Sequence, residues 1–538
     1  APIQSHNLSA SGGGDQGSYL FSVNYFNQQG ALMNTYNKRY TVRSNSEYKF
    51  NNKVRIGENL AYSITDNPRI TILDEGNPIS MAYRQQPIIP VYDIKGNYAG
   101  TVGGKLGQAT NPIANRQRSV NNKGMSNRLF GNVYGEVDLL KSLTFRSSFG
   151  GEYYSFSGRW FNWPTYENAE NSQSNSYSEN AGTGFNWVWS NMLTFNKSFG
   201  DHTIKVVAGI EAVNEGGTYM EANTTNYFSF DPDYTTLTTG AGAATHGSSR
   251  YSRSLYSQIG RVDYNYKGRY LLGATVRRDG SSAFGPDNKY GVFPAFSAGW
   301  RLSDEAFMKS WKWLTDLKVR GSYGTMGNQA NLAADNQFTT YNSDRSSSFY
   351  DINGTSNSLV LGFRQGRYGN AAAKWESQKY TNVGFDATIG NRLLEIVADY
   401  YVRRVSDMLY APELPGTAGA ASPPTVNIGK MRTSGFDLSL GSHFDVNKDF
   451  GFDITATFTT FKNKIESIAD GIDYFSEESR RFNGNNIIRN EVGHSVSQFY
   501  GYKVVGFWNN QAEIDAANEL ARKATGDPDA VYQTEAAV

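Results

Sequence analysis

The stretch SYLFSVNYFNQ, residues 18–28, sets Tyr19, Phe21, Val23 and Tyr25 on one side of an extended chain and Ser22, Asn24 and Gln28 on the other. Side chains alternate with period two along a strand, so this is a strand with one apolar and one wet face. The pattern recurs along the chain. Val133, Val137 and Leu139 oppose Asn132, Tyr134, Glu136 and Asp138, and Leu143, Phe145 and Phe149 oppose Thr144, Arg146 and Ser148, with a hairpin through Leu140 and Lys141. Tyr270, Leu272, Ala274 and Val276 oppose Gly273, Thr275 and Arg277, and Leu394, Ile396, Ala398, Tyr400 and Val402 oppose Glu395, Val397, Asp399, Tyr401 and Arg403. Late in the chain Phe450, Phe452, Ile454, Ala456 and Phe458 oppose Asp453, Thr455, Thr457 and Thr459.

These runs last about 10 to 15 residues, longer than the usual sandwich strand of about 5 to 6. Such lengths suit tilted strands that cross an apolar band of about 25 Å and then project into water, with lipid as the apolar partner. The connections point the same way. Tight turns at Phe50 to Lys53, Leu140 to Ser142, Phe199 to His202, Lys267 to Arg269, Gly390 to Arg392 and Asn447 to Asp449 alternate with long polar loops near 67–124, 157–182, 217–249, 325–377, 407–430 and 464–497. In an up-and-down meander, alternate connections share an end. One rim therefore carries turns and the other loops, as in outer-membrane barrels. The expected fold is all-β, a transmembrane antiparallel up-and-down β-barrel with about 17 strands, the last near Gln498 to Phe507, followed by a short helix and polar tail over Gln511 to Val538.

Composition narrows the function. The 538 residues carry 51 basic and 50 acidic side chains, net charge +1, and no cysteine. That balance offers no basic field for nucleic acid, and it leaves no disulfide scaffold, zinc ribbon or thiol catalysis. No stretch approaches the ~18 apolar residues of a membrane helix. Ala1 to Ser11 lacks a basic segment followed by an apolar one, so the chain is expected to begin inside a longer precursor.

The block RYLLGATVRRDGSSAFGP, residues 269–286, continues through Tyr290-Gly291, Phe293-Pro294 and Ser297-Ala298-Gly299-Trp300-Arg301. Together with Leu317-Lys318-Val319-Arg320, Gly327-Asn328-Gln329, Trp375-Glu376, Thr381-Asn382-Val383-Gly384, Leu414-Pro415-Gly416, Asn427-Ile428-Gly429 and Tyr500-Gly501-Tyr502-Lys503, it resembles the SusC/RagA family of TonB-linked outer-membrane proteins over essentially the whole chain. The resemblance implies a barrel of roughly 22 strands holding an N-terminal plug, in the outer membrane of a Gram-negative bacterium. It also implies a SusD-like surface lipoprotein as lid, coupling to the TonB complex, and import of an oligosaccharide or peptide. His6-Asn7-Leu8-Ser9-Ala10 resembles the family's first barrel strand. On that basis residues 1–538 are expected to be a partial barrel domain, without plug or closing strands. A passive porin or surface adhesin on the same barrel is the competing function.

Enzyme chemistry has little footing. G-x-S-x-G, Walker A and H-E-x-x-H patterns are missing, and His6, His202, His246, His443 and His494 are scattered singly. No catalytic, cofactor or metal residues are expected, and neither Asp231-Pro232-Asp233 nor Asp527-Pro528-Asp529 supplies the oxygen series of a calcium loop. Two groups are candidates for substrate contact. Trp160, Trp163 and Tyr166, among Asn and Ser, suit sugar rings, whose C–H faces stack on aromatics while amides meet hydroxyls. The same rings would also serve as interfacial girdle or as loop packing. Arg277 and Asp279, beside Arg278, would line a charged lumen, either contacting solute or closing a salt-bridged rim.

Overall fold

The computed structural model describes residues 1–51, 53–68, 77–344, 347–355, 358–390, 392–412, 414–445, 447–469, 471–476, 481–482, 485–504 and 506–531. Two compact units are present, Ala1–Lys462 and Asn463–Val538.

The first is built on an antiparallel meander. Its strands are β1 (Ile3–Gly14), β2 (Gly17–Gln29), β3 (Tyr36–Phe50), β4 (Val54–Asp66), β5 (Lys123–Leu140), β6 (Leu143–Asn162), β7 (Ser176–Phe199) and β8 (His202–Thr225). They continue as β9 (Thr245–Tyr266), β10 (Tyr270–Ser281), β11 (Tyr290–Arg301), β12 (Leu314–Asn328), β13 (Glu376–Ile389), β14 (Leu394–Ser406), β15 (Lys430–Asp445) and β16 (Gly451–Ser467). These sixteen form one sheet in strict chain order. Among the described residues β1 bonds to β2 alone.

Alternation becomes two faces through the register. Tyr19, Phe21 and Val23 lie opposite Ser46, Ser44 and Val42, and the same face continues through Ile56, Val133, Phe149 and Trp189. Tyr19, Phe21, Val23, Phe452 and Ile454 stay exposed on the isolated chain, as side chains meant for lipid do. The opposite face holds the ion-paired networks of Arg55, Arg277 and Arg320. Strands β7 and β8 each run 24 residues. At ~3.3 Å per residue these lengths exceed what a band of about 25 Å needs, so one end projects beyond it.

The connections separate by end as well. Lys267 and Gly268, both at positive φ (57° and 69°), give the β9–β10 turn the mirror-image geometry that fits the twist of a tight hairpin. Residues 67–122, 163–175, 226–244, 329–375 and 407–429 connect strands at the other end. Two short helices lie there, α1 (Pro78–Arg84) and α2 (Pro112–Arg118), capped by Asn77 and Asn111 with Pro at the first turn.

The second unit corrects the expected seventeenth strand. Only Gln498–Phe499 is extended there; it pairs with Ile488–Glu491, which in turn pairs with Tyr474–Ser476. Tyr500, Tyr502 and Val504 alternate with Gly501 and Lys503, yet among the described residues after Phe499 none is in a strand. Helix α3 (Gln511–Thr525) begins at Asn510, whose side chain accepts from the Glu513 amide, and ends at left-handed Gly526. The expected polar tail falls partly on 532–538, outside the described residues.

Candidate functional site

The polar face is lined by ion-paired rows. Arg55 donates through Nε to Glu136 at 2.8 Å and through Nη2 to Asp138 at 3.0 Å, and Arg146 reaches Glu136 at 3.1 Å. Arg146 also stacks over Tyr134 at 3.8 Å, while the Tyr134 hydroxyl donates to Glu47 at 2.8 Å across the backbone of Gly57. A Cβ at Gly57 would collide with the Tyr134 ring, so the glycine is what lets the tyrosine lie flat along the wall.

Arg277 sits in a second network. It donates to Asp279 at 2.7 Å, to Glu211 at 3.0 Å and to the Ser257 hydroxyl at 2.8 Å. Three strands are tied by one guanidinium, which uses most of its donors internally. A third network joins β12, β13 and β14. Arg320 forks onto both oxygens of Asp399 at 2.5 and 2.6 Å and donates to Asp386 at 3.1 Å, with Lys318 on Asp386 at 3.2 Å. Beside it the small residues Gly273, Ser297, Gly299 and Ser322 leave a trough of about 360 Å³ between Lys205 and Asp263 on one side and Lys318 and Arg320 on the other.

At the long-loop end the structure builds a second feature. Asn111 caps α2 and donates to the carbonyls of Val91 and Ala99 at 2.9 and 2.7 Å, tying the preceding loop to the helix. That fixes Arg118, which pairs bidentately with buried Glu167 at 2.6 and 3.2 Å. Burial alone would raise the Glu167 carboxyl, but Arg118 and the Tyr166 amide hold it below the usual carboxylate range. The same guanidinium lies over Tyr98 at 5.0 Å and Tyr166 at 5.7 Å, and Tyr92 stacks on Tyr98 at 5.6 Å. The result is an exposed aromatic platform with a cation at its centre and Gln117 at its edge, hydrogen-bonded to Tyr98 and Tyr92.

The three aromatic candidates separate. Tyr166 belongs to this platform; it is 51% exposed, and its hydroxyl accepts the Tyr98 amide at 3.0 Å. Trp160 lies on the polar face over Gly158 and lines a cleft of about 500 Å³ with Ser178, Asn180, Asn223 and Thr245. Trp163 packs edge-on against Phe230 at 4.9 Å, in a cluster with Phe161, Tyr177 and Tyr227. It serves as loop packing. Sequence reasoning missed Tyr92, Tyr98 and Arg118, which lie in a segment treated as undifferentiated loop. The usable signal was the pair of Asn-Pro steps, Asn77-Pro78 and Asn111-Pro112, each a cap followed by a helix start.

Comparison with known proteins converges on one family. Residues 67–527 match the family described as TonB dependent receptor-like, beta-barrel. The chain is 29% identical to TonB-dependent receptor P3 of Formosa agariphila, covering 98% of this chain and 54% of that one. It is 26% identical to TonB-dependent receptor SusC of Bacteroides thetaiotaomicron, covering 93% and 51%. It thus spans about half the length of the curated relatives it matches. Among solved structures, the RagAB peptide transporter superposes with a TM-score of 0.81 at 22% identity, over 94% of this chain and 55% of that one. The ferric-catecholate import receptor Fiu of E. coli superposes at 0.52 and 12% identity, over 87% and 64%. At these identities the structural likeness speaks for the fold.

Proposed function

From the premise that this chain belongs to the TonB dependent receptor-like β-barrel family, we propose that it forms the wall of an energy-coupled importer that takes up oligosaccharides or peptides too large for passive pores. The protein resides in the outer membrane of a Gram-negative cell. Its sixteen-stranded sheet supplies barrel wall around a plug. A SusD-like lipoprotein closes over the long-loop rim, and TonB acts on the plug to open a path.

One observation carries this reading. The polar face is continuous across the sheet and ends, on the long-loop side, at the Tyr92–Tyr98–Arg118–Tyr166 platform and the Trp160 cleft. Flat rings beside Asn and Ser amides and hydroxyls suit a hydrated sugar or an extended peptide, whereas the self-paired Arg277 network suits a wall. Arg277 and Asp279 therefore position the wall, and direct ligand contact rests with Trp160 and Tyr166.

Uptake and titration test this together. A strain carrying the Trp160→Ala/Tyr166→Ala variant is expected to keep the protein in its outer membrane and to bind the cognate oligosaccharide or peptide at least tenfold more weakly. Each aromatic face lost costs about 1 kcal/mol or more. Unchanged affinity would return both rings to a structural role. Uptake that persists without TonB would replace the importer with a passive pore.

A further inference from the structure

The hydrogen-bonded register lets rows be followed across β13, β14 and β15 on the apolar face. From the short-turn end they run Ala387–Ile396–Leu440, Phe385–Ala398–Leu438, Val383–Tyr400–Phe436 and Thr381–Val402–Ser434. The next row is Lys379–Arg404–Arg432, and the one above ends Ser406–Lys430. Four cations thus replace the apolar series over two successive rows. Lys379, Arg404 and Lys430 are exposed and Arg432 is half-buried. Among the described residues no carboxylate pairs with any of them.

Like charges directly opposite on neighbouring strands repel. The reverse face of β12, β13 and β14 shows how this chain handles charge when it neutralises itself: Lys318 and Arg320 are matched to Asp386 and Asp399. The outward row has no such answer within the fold. Its height supplies one. Lys379 lies ten residues above Ile389, the end of β13. At ~3.3 Å per residue and a tilt near 45°, that is about 23 Å, where an apolar band of about 25 Å ends. Tyr400 and Phe436 sit two rows below, about 9 Å deeper in the apolar band. Long cationic side chains at the band's end lay their stems on acyl chains and reach the headgroup layer.

Resting on the barrel reading above, we propose that Lys379, Arg404, Arg432 and Lys430 form a binding site for the phosphate-bearing headgroup of an outer-leaflet glycolipid. The two guanidiniums fork onto phosphate oxygens, and the two ammoniums flank them as point charges.

The test uses the protein extracted from its outer membrane in mild detergent. Retention of bis-phosphorylated lipid A is read by native mass spectrometry, for wild type, for Lys379→Gln/Arg404→Gln/Arg432→Gln, and for Arg404→Gln alone. Each surface cation contributes several-fold, so the triple variant should lose retention more than tenfold and the single variant about fivefold. Dephosphorylated lipid A should bind wild type at least tenfold more weakly, and excess inorganic phosphate should fail to displace the lipid. Equal retention by wild type and variants overturns the site, and so does displacement by inorganic phosphate, which would mark a free-anion site. Outer-membrane fractionation and heat-modifiable gel mobility of the wild type are read in parallel. Their failure would break the barrel reading, whereas their success with equal retention breaks the lipid site alone.

Discussion

Lys318 and Arg320 on the inward face and the four outward cations of β13 to β15 are treated in opposite ways. Inward, Arg320 is locked between Asp386 and Asp399. Outward, Lys379, Arg404 and Arg432 stand opposite one another, and among the described residues no carboxylate pairs with them. A wall that must let solute pass benefits from charge that is already neutralised, because an unpaired guanidinium would hold any anionic cargo. A surface that must sit at one depth benefits from charge that seeks an external partner. Formal net charge, near zero here, conceals this division; the strand register reveals it.

The sharpest way to break the comparison is to put a charge where the outward face should refuse one. Val383 lies in the row with Tyr400 and Phe436, two rows below Lys379 and six residues, about 14 Å, above Ile389. Val383→Arg should cost about 2–4 kcal/mol in urea unfolding from lipid vesicles, the range for a cation near the bilayer midplane. A cost below about 1 kcal/mol would mean that this face does not meet lipid.

Next in size is the inward lock. Arg320→Met leaves Asp386 and Asp399 as diagonal neighbours on adjacent strands, with Lys318 on Asp386 to offset them. Hydrogen bonds to charged groups are each worth about 1.5–3 kcal/mol when lost. Solvent reaches this pair, so the same unfolding assay should show a net loss of about 2 kcal/mol. No loss would reduce the network to decoration.

A smaller effect separates the loop crown from the sheet. The folded Glu167 carboxyl is depressed below its ordinary range by Arg118, so its stabilisation is complete above the unfolded carboxyl pKa of about 4.3 and fades as pH falls through the lower folded value. Hydrogen exchange of the 98–118 segment should therefore accelerate as pH drops below about 4, after correction for intrinsic rates, while the sheet stays protected. Glu167→Gln should remove this pH dependence and loosen the platform at neutral pH by about 1–2 kcal/mol. An unaltered profile in the variant would show that another group holds the crown.

These contrasts also mark what the sequence made legible. Period-two runs such as Tyr19 to Tyr25 carry their own face assignment, so the sheet, its meander and the separation of turns from loops follow directly. The strand expected at 498–507 did not join the large sheet although Tyr500, Tyr502 and Val504 alternate with Gly501 and Lys503, and the local sheet around Ile488–Glu491 took up Gln498 and Phe499 instead. The site was less legible because it is non-local. Nothing near Arg118 announces Glu167, 49 residues on. Nor does Trp163 reveal that Phe230 awaits it; only Trp160, two residues from Gly158 on the same face, had a local partner. The cation row was invisible for the same reason, since its members lie on three strands and meet only through register.

The smallest effect grades the polar face within itself. Arg261 pairs with Asp263 on the same strand at 2.8 Å, but its side chain is 53% exposed, against 28% for Arg320. Water competes for the exposed pair, and holding two flexible side chains together costs entropy, so Arg261→Met should change stability by only about 0.2–1 kcal/mol. Salt separates the two cases further. Raising ionic strength from about 0.1 to about 1 M shortens the screening length from about 10 to about 3 Å and should erase the Arg261 effect. The Arg320 effect should survive, because its forked hydrogen bonds are short and partly shielded from solvent. Equal salt sensitivity for the two variants would show that shielding does not grade the wall, and the ion pairs would then act only as a uniform field along the path of the solute.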